Sequence, residues 1–146
     1  MTASSLSSET IHASAVAVQG RAVLIGGRSG QGKSDLALRL IDRGATLVSD
    51  DYTIVRRMGG RLVASAPGTI AGRIEVRGLG LVGMTTESDA PVALLVDLDA
   101  AMERLPEPGE TRMLAGVAIP VVRLSALEAS APIKVELALA QFGLSG

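Results

Sequence analysis

The run Gly27-Arg28-Ser29-Gly30-Gln31-Gly32-Lys33-Ser34 reads G-x-x-x-x-G-K-S. It constrains the chain more than any other feature because its chemistry works in only one setting. Glycines let successive backbone N–H groups turn inward on phosphate oxygens. A helix after the run aims its positive N-terminal end at the same point, and a strand before it fixes the entry. Both neighbours are present: Ala22-Val23-Leu24-Ile25 is an apolar strand signal, and Asp35-Leu36-Ala37-Leu38-Arg39-Leu40-Ile41 has helical spacing. A glycine turn that merely carries a lysine lacks such flanks. The pattern predicts a phosphate cradle in an α/β fold, with the backbone of Gly27 to Gly32 around a nucleotide's phosphates, Lys33 on a phosphate oxygen and Ser34 on Mg2+. Lys33 is one of only two lysines in the chain.

At 146 residues the expectation is one domain, large enough to bury roughly two-thirds of its unfolded surface without a metal or disulfide. There is no cysteine, which excludes a disulfide framework and a thiolate zinc site and fits a reducing compartment. The first nine residues are small and polar and are expected to form a disordered tail, with the catalytic domain running from 10 to 146. They lack the basic-then-apolar pattern of a secretion signal, and no apolar run approaches the ~18 residues that crossing a membrane needs. Cytoplasm is the expected location. A net charge of −1, scattered arginines and only Tyr52 and Phe142 as aromatics leave neither a basic groove nor a stacking platform, which argues against nucleic acid as a partner.

Along the chain, Thr10 to Val18 alternates at period two and pairs with the strand at 22–26 as a hairpin feeding the cradle. A helix over 34–43 ends at Gly44, and Ala45 to Ser49 is a buried strand that delivers Asp50 and Asp51. A second hairpin spans 52–64. Arg73 to Arg77 is a short strand followed by glycine-rich loops, and Pro91 to Asp97 is a fully buried strand. After the proline-rich stretch 106–109 come extended pieces at 111–114 and 117–124, and Pro132 opens a terminal helix to Phe142.

Phosphoryl transfer also needs an acid for a metal or for the nucleophile's proton. Two apolar strands end in one: Leu47-Val48-Ser49 in Asp50-Asp51, and Leu94-Leu95-Val96 in Asp97. The sequence barely separates them, although Asp97-Leu98-Asp99 stands before a helix-like stretch and reads better as a cap. If the strand continued, Asp50 and Asp51 would point to opposite sides, one toward the terminal phosphate. His12, the only histidine, lies on the strand beside the cradle. By position alone it is more often structural than a phosphate ligand. Glu75, between Arg73 and Arg77, reads equally as a surface strand residue or as a group facing the nucleotide.

Together these stretches resemble the HPr kinase/phosphorylase family. Ile11-His12-Ala13, the cradle with Asp35 to Gly44, Leu47-Val48-Ser49-Asp50-Asp51 and Gly116-Val117-Ala118-Ile119-Pro120 carry the resemblance. Glu75-Val76-Arg77-Gly78-Leu79-Gly80 is the family's own signature. The resemblance implies an α/β P-loop kinase domain similar to the nucleotide-binding domain of phosphoenolpyruvate carboxykinase, unlike the Ras-like arrangement. It implies transfer of the γ-phosphoryl of ATP, with Mg2+, to a serine of the phosphocarrier HPr. By position it implies Lys33 on the β- and γ-phosphates, Ser34 on Mg2+, Asp50 as acceptor of the serine proton, Asp51 as its partner in the metal and lysine network, His12 as a residue tuning the phosphate site, and Glu75 as a metal or water ligand. It also implies a homo-oligomer, a hexamer.

Three departures stand out. The family's amino-terminal domain is missing, so the expectation is a catalytic module alone. Arg28 stands where many members have aspartate. The family's P-V-R-P-G-R-N loop is replaced by Ser125-Ala126-Leu127-Glu128-Ala129-Ser130-Ala131-Pro132-Ile133-Lys134, so two arginines are gone. The reverse reaction, phosphate attacking phosphoserine, is therefore expected to be weak. The rival readings are a kinase of the same fold with another substrate and an ATP-sensing module that transfers nothing. Retention of both Asp50 and Asp51 favours the enzyme.

Overall fold

The computed structural model describes residues 7–99 and 109–145. In chain order its elements are β1 (Ser8–Ile11), β2 (Ala13–Val18), β3 (Arg21–Gly26), α1 (Lys33–Asp42), β4 (Thr46–Ser49), β5 (Thr53–Met58), β6 (Arg61–Ser65), β7 (Arg73–Val76), β8 (Gly80–Gly83), β9 (Ala90–Asp97), β10 (Thr111–Leu114), β11 (Val117–Arg123) and α2 (Ala131–Phe142).

A nine-stranded mixed sheet runs β1-β5-β6-β9-β3-β2-β4, with β11 also on β9 and β10 on β11. β3, β9 and β11 are mutually parallel, and the remaining pairs are antiparallel. The carboxyl ends of those three strands therefore open on one side, where ligands collect in α/β sheets. The β1 side of the sheet curls round to meet β10. Glu9 accepts a hydrogen bond from the Ala115 N–H at the β10–β11 turn, and the Arg57 guanidinium lies over Gly116.

The side-chain period of two divides each central strand between two cores. From β3, Val23 and Ile25 join Val16, Leu36, Leu40, Leu94, Val96, Val135 and Leu139 under the helices. Ala22 and Leu24 face the inside of the curl with Val55, Leu62, Leu95, Leu114 and Ile119. Helix α1 buries Leu36, Ala37 and Leu40 at helical spacing. It ends in a Schellman turn, in which the Gly44 N–H donates to Ile41 and the Ala45 N–H to Leu40. Gly44 adopts φ 112° there, which a side chain would resist. Arg43 forks onto Glu136 at 2.7 and 3.0 Å, linking α1 to α2.

Several boundaries differ from the sequence reading. Ser8 and Glu9, expected in a tail, form β1 against Arg56 and Val55; residues 1–6 of that tail lie outside the described residues. The single strand expected over Thr10 to Val18 is broken at His12, because β1 pairs with β5 whereas β2 pairs with β3 and β4. The loops expected after Arg77 contain β8, which forms a separate two-stranded hairpin with β7. Glycines at both ends of Gly80–Gly83 hid it. The helix-like stretch after Asp99, and with it the capping role for Asp97, falls outside the described residues. Among the described residues no helix is long and apolar enough to cross a membrane.

Candidate active site

The cradle leaves β3 at Gly26 and enters α1 at Lys33. Its first turn closes with the Gln31 N–H on the Arg28 carbonyl at 3.1 Å, and the Leu36 N–H reaches the Gly32 carbonyl at 2.9 Å. Gly32 has φ 94°, and a Cβ there would stand 3.0 Å from the Cβ of Ala126. A side chain there would be strained by the backbone conformation and crowded by the loop packed against it.

Asp50 and Asp51, adjacent in sequence, differ in environment. Asp50 is buried and its carboxylate is engaged on both oxygens. Oδ1 accepts the hydroxyls of Ser34 at 2.6 Å and Ser14 at 2.9 Å, and Oδ2 accepts the Glu75 N–H at 2.9 Å. Ser14 Oγ in turn accepts the Asp51 N–H at 3.0 Å. The strand has ended at Ser49, and Asp51 turns away with φ 66°, its side chain half exposed. Its Oδ1 meets His12 Nε2 at 2.9 Å and Lys33 Nζ at 3.6 Å. Lys33 itself is only 5% exposed, so its ammonium is aimed at this one place.

The break at His12 explains how it reaches Asp51. With Ile11 paired to Thr53 and Ala13 to Gly26, His12 falls opposite Tyr52, and the two rings stack with centroids 4.9 Å apart. Thr53 Oγ1 fastens the crossing by donating to the Ala13 carbonyl at 2.7 Å. The structure therefore brings His12, Lys33, Ser34, Asp50 and Asp51 together. Glu75 enters through its backbone N–H, and its carboxylate is exposed. Asp97 lines a cleft with His12, but its partners are Asp99, Arg112 and Arg123 rather than members of this cluster.

Ser14 was missed by sequence reasoning; its one signal is a hydroxyl inside the apolar run of β2. Asp99 was also missed. Its Oδ1 accepts both the Arg28 N–H at 2.9 Å and Arg28 Nε at 3.2 Å. The backbone hydrogen bond foremost, then the guanidinium, holds the Asp99 carboxyl below the usual carboxylate range. Asp97 accepts the Asp99 N–H on Oδ1 and meets Arg112 at 3.0 Å and Arg123 at 3.8 Å on Oδ2. Arg123 also forks onto Glu110, which holds that carboxyl low. A cleft of about 320 Å3 opens between this network and His12, with Ile11, Leu95 and Leu114 among its walls.

For Mg2+, the donors beside the cradle are hard oxygens, the Ser34 hydroxyl against the Asp50 carboxylate. Among the described residues no three His, Cys, Asp or Glu side chains form a closed metal cage. An open oxygen site of this kind suits Mg2+, which keeps several waters and shares its shell with substrate phosphates.

Comparisons with known proteins show what the chain as a whole is similar to. The family described as HPr Serine kinase C-terminal domain matches residues 4–142. An HPr kinase/phosphorylase of Clostridium beijerinckii is 45% identical over 85 residues, covering 58% of this chain and 28% of that protein. One of Chlorobium phaeobacteroides is 36% identical over 126 residues, covering 77% of this chain and 37% of that protein. The chain therefore spans roughly a quarter to two-fifths of the length of these relatives. The structure of the Hpr(Ser) kinase/phosphatase from Coxiella burnetii has a TM-score of 0.78 to this chain at 26% identity, over 91% of this chain and 95% of that one.

Proposed function

The chain belongs to the HPr serine kinase C-terminal domain family, and from that premise we propose that it transfers the terminal phosphoryl group of ATP to a serine hydroxyl of an HPr-like phosphocarrier. The observation that carries the reading is the convergence of Lys33 and His12 on Asp51 beside the cradle. In the proposed reaction the serine Oγ forms a bond to the γ-phosphorus while the bond from that phosphorus to the bridging oxygen breaks and ADP leaves. The serine proton passes to a carboxylate.

Geometry favours Asp51 rather than Asp50 as that carboxylate. Asp50 is buried and already accepts three hydrogen bonds, two on Oδ1 and one on Oδ2, so an incoming hydroxyl would have to reach a single remaining lone pair inside the protein. Asp51 is half exposed, and among the described residues its Oδ2 meets no donor. This reverses the roles expected from the resemblance. Asp50 then serves as the orienting group that fixes Ser34 and, through Ser14, the Asp51 backbone. Lys33 neutralises charge on the terminal phosphates, and His12 holds the Asp51 carboxylate in one orientation. Ser34, with Asp50 behind it and Glu75 at the edge, would hold Mg2+, which when bound supplies neutralisation of phosphate charge.

The implied kinship with the nucleotide domain of phosphoenolpyruvate carboxykinase is part of the same proposal. The reverse phosphorolysis is proposed to be weak. The segment in place of the arginine loop packs on the cradle through Ala126, and its single cation, Lys134, is paired with Glu128 at 2.7 Å. Assembly into a hexamer and a cytoplasmic location belong to the same proposal.

The test is to incubate the protein with γ-labelled ATP, Mg2+ and HPr, and to locate the label. Label on an HPr serine supports the kinase. ATP binding with no labelled HPr favours the sensing module instead.

A further inference from the structure

Asp51 stands at the apex of a turn that a residue with a side chain adopts only at a cost. The Tyr52 N–H donates to the Asp50 carbonyl at 2.7 Å, two residues back, and Asp51 between them has φ 66°. A three-residue turn of this hand is rare and strained, and it persists only where the surroundings over-determine it. Three polar contacts supply part of that support. Ser14 Oγ accepts the Asp51 N–H, the hydroxyl of buried Ser49 donates to the Tyr52 carbonyl, and Thr53 Oγ1 donates to the Ala13 carbonyl.

The fourth support is the ring of Tyr52, which lies on the His12 ring with planes 20° from parallel. Tyr52 is 47% exposed, and among the described residues its hydroxyl makes no hydrogen bond. Neither burial nor a polar tether fixes the ring, so its flat face is the part in use. The contacts close a circuit. The Tyr52 ring rests on His12, His12 Nε2 meets Asp51 Oδ1 at 2.9 Å, and the Asp51 backbone joins Tyr52 through the turn. No member of the circuit can swing alone: turning the carboxylate breaks the bond to His12, and turning the imidazole unstacks the rings.

Resting on the kinase reading with Asp51 as proton acceptor, we propose that Tyr52 is a positioning residue for the transfer step, acting through His12 by its ring face and not by its hydroxyl. Because the turn at Asp51 is strained, it relaxes when a support is removed. Loss of the stack frees the imidazole, and the Asp51 carboxylate then leaves the place beside Lys33 where the incoming hydroxyl must meet it. Reacting groups misplaced by about 1 Å lose much of their rate. Nucleotide binding has no such dependence, since among the described residues none of the contacts that shape the cradle involves Tyr52.

His12 is the only histidine of the chain, so its ring-proton NMR signals are unambiguous and report the stack directly. They should stand at ring-shifted positions in the wild type and in Tyr52→Phe, and move to those of an unstacked imidazole in Tyr52→Ala. Single-turnover transfer from γ-labelled ATP to HPr should fall roughly 10- to 100-fold in Tyr52→Ala. ATP affinity by calorimetry should stay within about twofold of wild type, and Tyr52→Phe should transfer within about twofold of the wild-type rate. Should Tyr52→Ala fail to fold, Tyr52→Leu keeps apolar bulk without a flat ring and is expected to show the same loss. Adding His12→Ala to either variant should cost no more than His12→Ala alone, a non-additivity that a residue serving only stability would not give. Undiminished transfer without the ring, an equal loss in Tyr52→Phe, His12 signals indifferent to the ring's removal, or losses that add with His12→Ala each overturn the positioning role and leave the kinase reading standing. No transfer by the wild type overturns the kinase reading, and the role of Tyr52 with it.

Discussion

The two flanks of the phosphate cradle handle charge in opposite ways. On the trailing flank, Asp50 and Asp51 meet one lysine, one histidine, two serine hydroxyls and a backbone N–H, so no guanidinium and only one lysine faces the two carboxylates. On the leading flank each carboxylate among the described residues has a guanidinium: Asp99 with Arg28, Asp97 with Arg112 and Arg123, Glu110 with Arg123. On the proposed reading the first arrangement is completed by a metal ion and a substrate, whereas the second is already balanced in charge. Substitutions on the trailing flank should therefore be felt in chemistry, and those on the leading flank in how firmly the cradle is held.

The largest expected effect is at Asp51. Asp51→Asn keeps the size of the side chain and a partner for His12 but cannot take a proton, so transfer to HPr should fall by about 10²- to 10⁴-fold with ATP affinity nearly unchanged. Single-turnover transfer with labelled ATP reads it. If Asp50→Asn showed that pattern and Asp51→Asn did not, the proton would belong to Asp50 and the contrast drawn between the two neighbours would fail.

Lys33→Ala comes next. The buried ammonium serves charged oxygens, a class of hydrogen bond worth about 1.5–3 kcal/mol, so ATP affinity should drop roughly 10- to 150-fold by calorimetry. An affinity within twofold of wild type would show that backbone N–H groups alone hold the phosphates. Ser14→Ala tests the scaffold behind the same flank. It removes one donor from buried Asp50 and leaves the Asp51 N–H without its acceptor. The expected cost is about 1–3 kcal/mol in urea unfolding, with a parallel loss of transfer. Stability equal to wild type would mean that water replaces the hydroxyl there.

These residues were unequally legible before the fold was known. The cradle was readable because its function is written in backbone chemistry, glycines between a strand and a helix. Asp50 and Asp51 were readable as an acid pair at a strand end, but their division of labour was not. It depends on the chain leaving the sheet at Ser49, which turns one carboxylate inward and the other out. The break at His12 was hidden because it arises from a change of partner, β5 before it and β3 with β4 after, and no local pattern records that. Ser14 is buried only because β2 is central between β3 and β4. Asp99 meets Arg28 across 71 residues of sequence, a distance at which side-chain pairing leaves no periodic trace.

The smallest effect is expected at Asp99, and it sharpens the comparison most because it carries a pH signature. Arg28 holds the Asp99 carboxyl below its ordinary value in the folded protein, so the folded state binds that proton less readily than the unfolded state does. Whatever stability the link contributes is then fully present above the ordinary carboxylate range near pH ~3.9, and is lost as pH falls through the depressed folded value. Asp99→Asn keeps an oxygen for the Arg28 N–H and removes the charge. Compared with wild type it should unfold at a slightly lower urea concentration at pH 7, and the difference should shrink toward zero as the solution is acidified. ATP affinity should change by no more than a few fold, since the link is solvent-exposed and the phosphates are served from the other flank. A difference that persisted unchanged into acid would mean that the carboxylate's charge is idle and only its shape anchors Arg28. A loss of transfer as large as that of Asp51→Asn would mean that the leading flank takes part in the chemistry, and the division between a flank that reacts and a flank that holds would have to be abandoned.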